Sequence, residues 1–139
     1  MAAAGEVVAL TGASGFIGGA LVRGLAAAGF RVVGLDRAGP PHPPSPAETI
    51  DIDLTSDASV RDAFAELRRR HGPRVASIIH LAAYYDLSGE PSPRYDEVTV
   101  RGTGRLLREA RELEVGQFVF ASTILVHAPV EPGRRITED

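Results

Sequence analysis

Apolar positions along this chain fall into two alternating rhythms: short unbroken runs, and longer stretches with apolar residues three or four apart. The first run, Val7-Val8-Ala9-Leu10, predicts a buried strand. Phe16, Ile17, Ala20, Leu21 and Leu25 then recur at helical spacing and predict a helix whose apolar stripe lies on a sheet. Phe30 to Leu35 is a second apolar run, closed by Asp36. Ile50, Ile52 and Leu54 alternate with acidic residues, which predicts a short strand from Glu48 ending at Asp53-Leu54. A helix follows on the stripe Val60, Ala63, Phe64 and Leu67. Thr55, Ser56 or Asp57 can cap it, Arg68-Arg69-Arg70 complement its dipole in the last turn, and Gly72-Pro73 ends it.

Val75 to Ala83 is nearly all apolar, as a parallel strand covered on both faces requires. The next helix is predicted from Arg94 to Leu113, with Thr99, Gly102, Thr103, Leu106, Ala110 and Leu113 inward. On its solvated face, Glu97, Glu109 and Glu112 are expected to pair with Arg101, Arg105 and Arg108. Phe118 to Thr123 completes the pattern as a fifth strand. Strand and helix in alternation predict an α/β domain, a doubly wound parallel sheet with helices on both faces.

Between the first strand and the first helix stand Gly12, Gly15 and Gly18. A tight turn at the first, close approach of a ligand at the second and close helix–strand packing at the third each exclude a side chain. The helix that follows turns its free N–H groups toward a pyrophosphate. Asp36, roughly 20 residues on, stands where a carboxylate accepts hydrogen bonds from the adenosine ribose hydroxyls. The competing reading is a β-α-β packing unit whose glycine turn binds nothing. A P-loop is excluded, because all 15 basic residues are arginine and no lysine can reach the phosphates. Right-handed crossovers around this turn give a Rossmann-like strand order of 3-2-1-4-5. Arg37 could stack on adenine or approach a 2′-phosphate, but the carboxylate beside it repels that phosphate, so NAD is favoured over NADP.

Composition narrows the classes further. With 44% hydrophobic residues, 139 residues suit one domain and one core, here residues 1–139 as an NAD-binding unit. A net charge of −3 excludes the basic surplus of a nucleic-acid binder. The absence of cysteine removes disulfides, thiol catalysis and thiolate metal sites, and the four histidines lack metal-site spacing. No apolar stretch approaches the roughly 18 residues of a membrane span, and the opening Met-Ala-Ala-Ala-Gly-Glu lacks a basic leader, so a cytoplasmic protein is expected.

The segment Thr11-Gly12-Ala13-Ser14-Gly15-Phe16-Ile17-Gly18 resembles the cofactor fingerprint of the extended short-chain dehydrogenases/reductases, the NAD-dependent epimerase/dehydratase family. The resemblance implies that Gly12, Ser14, Gly15, Phe16, Ile17 and Gly18 bind the cofactor, with Asp36 and Arg37 at the adenosine. Asp53-Leu54 resembles a pair that lies against the adenine ring. His80-Leu81-Ala82-Ala83 resembles the motif ending the fourth strand, where small residues let the cofactor cross close to the backbone; His80 is then a packed, hydrogen-bonded ring rather than a ligand or base. Val98-Thr99-Val100-Arg101-Gly102-Thr103 resembles the family's Val-Asn-Val-x-Gly-Thr, with Thr99 replacing the asparagine near the nicotinamide. Thr123 matches a hydroxyl that hydrogen-bonds a substrate oxygen and stabilises charge there; taken alone it is a strand-end threonine satisfying its own backbone. His127 departs from the tyrosine common at its position.

The family moves a hydride to or from NAD, with a tyrosine, its pKa lowered by a lysine four residues on, as acid or base. Tyr84, Tyr85 and Tyr95 are followed at that distance by Ser88, Gly89 and Thr99, so the chain holds no such pair. Two loops keep alternatives open. The proline-rich stretch Ala38 to Ala47 is an adenosine flap, a polyproline ligand for a partner or a stiff surface connection. Tyr84 to Pro93 leaves the carboxyl end of a strand, where its tyrosines are packed covers or substrate contacts.

The resemblance covers the whole chain but only the front part of the family's domain. The sheet is therefore expected to be incomplete on its carboxy-terminal side, its fifth strand an edge covered by a missing segment or a homo-oligomer. The expected function is the NAD-binding part of an epimerase, dehydratase or reductase acting on a nucleotide sugar or similar hydroxyl or carbonyl substrate, inactive by itself. The alternatives are a non-catalytic NAD-binding or sensing module, half of a two-chain enzyme, and a decayed gene product.

Overall fold

The computed structural model describes residues 5–44, 46–86, 88, 90–123 and 126–137. The loop residues Ser45, Leu87 and Gly89 lie outside these. The elements follow the alternation of the sequence: β1 (Val7–Thr11), α1 (Phe16–Ala27), β2 (Arg31–Asp36), β3 (Glu48–Asp51), α2 (Asp57–His71), β4 (Arg74–His80), α3 (Gly102–Ala110) and β5 (Glu114–Phe120). The five strands form one parallel sheet in the order β3-β2-β1-β4-β5. Successive strands are added first on one side of β1 and then on the other, so the order reverses between β1 and β4 and leaves a crevice at their carboxyl ends.

Side chains alternate across the sheet and build a core on each face. On one, Ala9, Val33 and Leu35 meet Val60, Ala63, Phe64 and Leu67 of α2 and Leu106 of α3. On the other, Leu10 and Val32 meet Ala13 and Val22. The α2 stripe is buried as its spacing predicts. Ser56 caps it by accepting the Ser59 N–H at 3.2 Å, and Gly72 ends it with φ of +84°.

Helix α1 departs from its predicted stripe. Phe16 is 97% exposed and Ile17 63%, and Ala20 is exposed too. The buried face is Gly18, Gly19 and Val22, with Leu21 and Leu25 partly covered. A Cβ on Gly18 would overlap the Gly12 carbonyl oxygen. The helix thus seats through its smallest residues, backbone on backbone, and the bulky apolar residues at its start are left in solvent.

The helix predicted from Arg94 begins differently as well. Tyr95–Arg101 is π-helical and runs directly into α3. The Gly102 N–H reaches back to the Glu97 carbonyl, and Gly102 packs so closely on Leu54 that a Cβ would lie 2.9 Å from the Leu54 Cβ. The predicted arginine pairs also change partners. Arg101 pairs with Asp96 at 2.7 Å, while Arg105 and Arg108 cross to Asp57 at the start of α2, at 3.2 and 2.9 Å. These guanidiniums hold the Asp57 carboxyl below its usual range. Two strand ends also shift: β3 stops at Asp51, short of Asp53-Leu54, and β5 runs over Glu114–Phe120, ending before Thr123.

Candidate functional site

The crevice starts from the turn that links β1 to α1. Gly12 adopts φ of +71°, a left-handed conformation open to glycine, and its N–H donates to the Leu35 carbonyl of β2 at 3.2 Å. The Gly15 N–H returns to the Gly12 carbonyl at 3.1 Å and closes the turn. Gly15 is also the cap residue of α1 and brings no side chain to it. The first amides of a helix have no intrahelical acceptor, so this end is a positive, donor-rich surface. Beside it the Ser14 hydroxyl is buried without a hydrogen-bond partner. Uncapped amides, an orphaned hydroxyl and a cradle without side chains together fit a bound pyrophosphate.

Asp36 closes the crevice at the end of β2. Its Oδ2 accepts the Ser14 N–H at 2.8 Å and its Oδ1 the Arg37 N–H at 3.1 Å. The carboxylate is thereby fixed to the glycine turn, with further lone pairs on both oxygens. Arg37 is exposed beside it. From there the proline-rich loop folds back rather than standing free: Pro43 lies where a Cβ on Gly34 would meet it at 3.0 Å, and Pro44 lies near Gly19.

Asp53 and Leu54 follow β3 and behave differently from one another. Asp53 is exposed; its Oδ1 accepts the Thr55 hydroxyl at 2.7 Å and the Thr55 N–H at 2.9 Å, which hold its carboxyl below the usual range. Leu54 is buried in the core, and its carbonyl accepts from Arg105 at 3.0 Å. Its side chain faces Gly102 rather than open crevice.

Leu81 and Ala82 are half-buried and Ala83 is exposed, just past β4. Thr99 comes to the same end of the sheet, where its hydroxyl accepts the Tyr84 N–H at 3.0 Å. His80 is 1% exposed, with Thr11 Oγ1 2.7 Å from Nδ1 and Thr103 Oγ1 2.9 Å from Nε2. It is the packed, hydrogen-bonded ring expected, and burial pushes its pKa down. Thr123 and His127 are exposed beyond β5, where the Thr123 carbonyl accepts the Val126 N–H.

The structure thus gathers Gly12, Ser14, Gly15, Gly18 and Asp36 through direct contacts, and packs Leu81 and Ala82 behind Gly12. Sequence reasoning set Thr103 on the inner stripe of its helix but gave neither it nor Thr11 a role at the site. Thr103 carried a signal, since it lies one helical turn from Thr99. Among the described residues, no group of three acidic, histidine or cysteine residues could hold a metal, and no helix is long and apolar enough to cross a membrane. An open groove at the amino ends of β1, β4 and β5 includes no residue of the glycine turn.

Comparison with known proteins agrees with this geometry. Residues 8–139 match the NAD dependent epimerase/dehydratase family. The chain belongs to that family. Among the family's relatives, a 3-beta-hydroxysteroid dehydrogenase of Mycolicibacterium neoaurum is 32% identical over 123 residues, covering 84% of this chain and 31% of that protein. The UDP-glucose 4-epimerase of Thermus thermophilus, solved with NAD, superposes with a TM-score of 0.79 at 31% identity, covering 96% of this chain and 43% of the epimerase. A short-chain dehydrogenase/reductase superfamily protein from Agrobacterium tumefaciens, with bound NAD, superposes with a TM-score of 0.66 at 29% identity, over 85% of this chain and 33% of that one. Against these relatives the chain spans between 31% and 43% of their length.

Proposed function

We propose that this chain is the NAD-binding part of an epimerase- or dehydratase-type oxidoreductase that acts on a nucleotide sugar or a similar hydroxyl or carbonyl compound. The observation that carries the reading is the Asp36 carboxylate bonded at 2.8 Å to the Ser14 N–H, which joins a ribose acceptor and a pyrophosphate cradle in one rigid unit. Gly12, Ser14, Gly15 and Gly18, with the Phe16 and Ile17 amides, would hold the pyrophosphate. Asp36 would accept from the adenosine ribose, with Arg37 and Asp53 at the adenine edge. The Leu54 side chain is turned inward, so its part there is left to its backbone. Leu81, Ala82, Ala83 and Thr99 would border the nicotinamide side.

NAD, when bound, supplies the hydride acceptor or donor. Thr123 would hydrogen-bond a substrate oxygen where charge develops. The tyrosine and lysine that complete the family's acid–base pair are not in this sequence, so by itself the chain is expected to bind without turnover. The relatives' names support the substrate class only broadly, one carrying a nucleotide sugar and another a hydroxysteroid. The edge strand β5 would be covered by further chain or by a second copy, and a cytoplasmic setting without nucleic-acid or membrane partners goes with this reading.

Calorimetric titration with NAD and NADP tests the proposal. The unaltered chain is expected to prefer NAD, and Asp36→Ala to bind NAD roughly tenfold more weakly, as loss of hydrogen bonds to a charged group implies, with less preference against NADP. A chain that binds neither cofactor, or a variant with both affinities unchanged, would overturn it.

A further inference from the structure

A chain of hydrogen bonds crosses behind the crevice, and its direction can be read from which groups are able to donate. The Leu81 and Ala82 N–H groups lie 3.2 and 3.1 Å from Thr11 Oγ1 and can only donate to it. They face the lone pairs of that hydroxyl, the Leu81 N–H being shared with the Thr11 carbonyl at 3.3 Å, so the hydroxyl proton is left to point at His80 Nδ1, 2.7 Å away. Nδ1 therefore accepts and carries no proton. A neutral ring then has its proton on Nε2, which donates to Thr103 Oγ1 at 2.9 Å. The Thr103 hydroxyl in turn donates to the Thr99 carbonyl at 2.5 Å. Every donor has an acceptor, and the chain runs one way from the 81–82 amides to Thr99.

Protonated His80 would bring a third N–H against the two lone pairs of Thr11 Oγ1, so the charged ring and the intact chain exclude each other. Among the described residues, the ring's remaining contacts are Phe118 and Phe120 of β5, with centroids 6.3 and 5.9 Å away. None of the groups recorded around it, from β1, α3 or β5, carries a charge.

We propose that His80 is a positioning residue for the cofactor crevice, a neutral imidazole protonated on Nε2 that orients Thr11 and so holds the Leu81–Ala82 backbone against the glycine turn. This rests on the NAD reading above. The two segments are in direct contact: a Cβ on Gly12 would lie 3.1 Å from the Ala82 nitrogen. The Thr11 hydroxyl that bridges them sets how β1 and β4 diverge at the crevice. At the far end, Thr99 also accepts the Tyr84 N–H, so the same chain anchors the loop leaving β4.

The test combines ring ¹⁵N NMR of the unaltered chain between pH 8 and pH 5 with NAD titrations of His80→Phe, His80→Gln and Thr103→Val. The expected ring is protonated on Nε2 alone and remains so through the ordinary histidine range. A proton on Nδ1, or titration at or above the ordinary value, overturns the proposal. His80→Phe is expected to weaken NAD roughly tenfold, and His80→Gln, which keeps an acceptor and a donor, to restore most of the affinity. Should His80→Phe fail to fold, Thr103→Val removes the Nε2 acceptor at constant shape and is expected to weaken NAD in the same direction. Unchanged affinity in the folded variants overturns the positioning role and leaves the NAD reading standing. No NAD binding by the unaltered chain overturns that reading and the positioning role with it, while the ring signature still reports the tautomer.

Discussion

Strands β1 and β5 both pair in parallel with β4, one on each side, yet every residue of β1 is buried and no residue of β5 is. Val119 and Phe120 of β5 are 37% and 51% exposed, although their side chains would suit a core as well as those of Val8 and Leu10. The difference lies in what stands beyond each strand. β1 has β2 and β3 outside it and a core on both faces, whereas β5 has no further strand among the described residues. Burial is thus set by place in the sheet rather than by strand composition. Each group proposed to hold the pyrophosphate or the ribose belongs to the covered half.

The sharpest break of this comparison is Gly18→Val. Its Cβ would enter the space of the Gly12 carbonyl, a backbone atom that cannot move without dismantling the turn. A loss of about 4 kcal/mol or more is expected, the range reserved for severe overpacking. Urea unfolding followed by circular dichroism measures it, and a near-normal midpoint would refute the seating of α1 on the turn. The comparison itself is measured by truncating one apolar residue on each side. Leu10→Ala, at a fully buried site, should cost about 2 to 5 kcal/mol, and Phe120→Ala less than about 1 kcal/mol. Equal losses would mean that β5 is covered in solution.

The covered half was also the more legible in sequence. Strand order followed from one glycine turn and the handedness of crossovers, and Asp36 stands at the strand end where its position in sequence placed it. Helix α1 misled because two of the three buried residues on its packing face are glycines. A hydrophobic stripe signals burial by transfer from water, whereas Gly18 and Gly19 are buried by close backbone approach. The π-helical stretch before α3 was invisible for a related reason. It runs into Gly102, which packs closely on Leu54, a contact between residues far apart in sequence. The arginine pairs failed likewise: spacing along one helix finds neighbours on that helix, and Asp57 lies on another. His80 could be placed as a packed ring, but its partners Thr11 and Thr103 come from three-dimensional convergence.

The smallest expected effect is the one that joins the two halves. His80 ends β4 with Thr11 on one side and the phenylalanine rings of β5 on the other. Burial lowers its pKa in the folded chain, so an unfolded chain takes up a proton that the folded one refuses. The resulting stability is fully present above the ordinary histidine value of about 6.5 and is lost as pH falls below it toward the folded pKa, at no more than about 1.4 kcal/mol per pH unit. Phe120→Ala should admit water to the ring and raise the folded pKa toward the unfolded one. The fall in stability between pH 6.5 and pH 5 then becomes shallower, although stability at pH 8 barely changes. Urea midpoints of the two chains at pH 8, 6 and 5 measure the difference. The lowered carboxyls, including Glu66 at about 2, titrate below this window and are common to both chains. Parallel slopes would mean that Phe120 does not shield the ring. A shallower slope would mean that an edge strand contributing little to stability still sets the charge state behind the crevice.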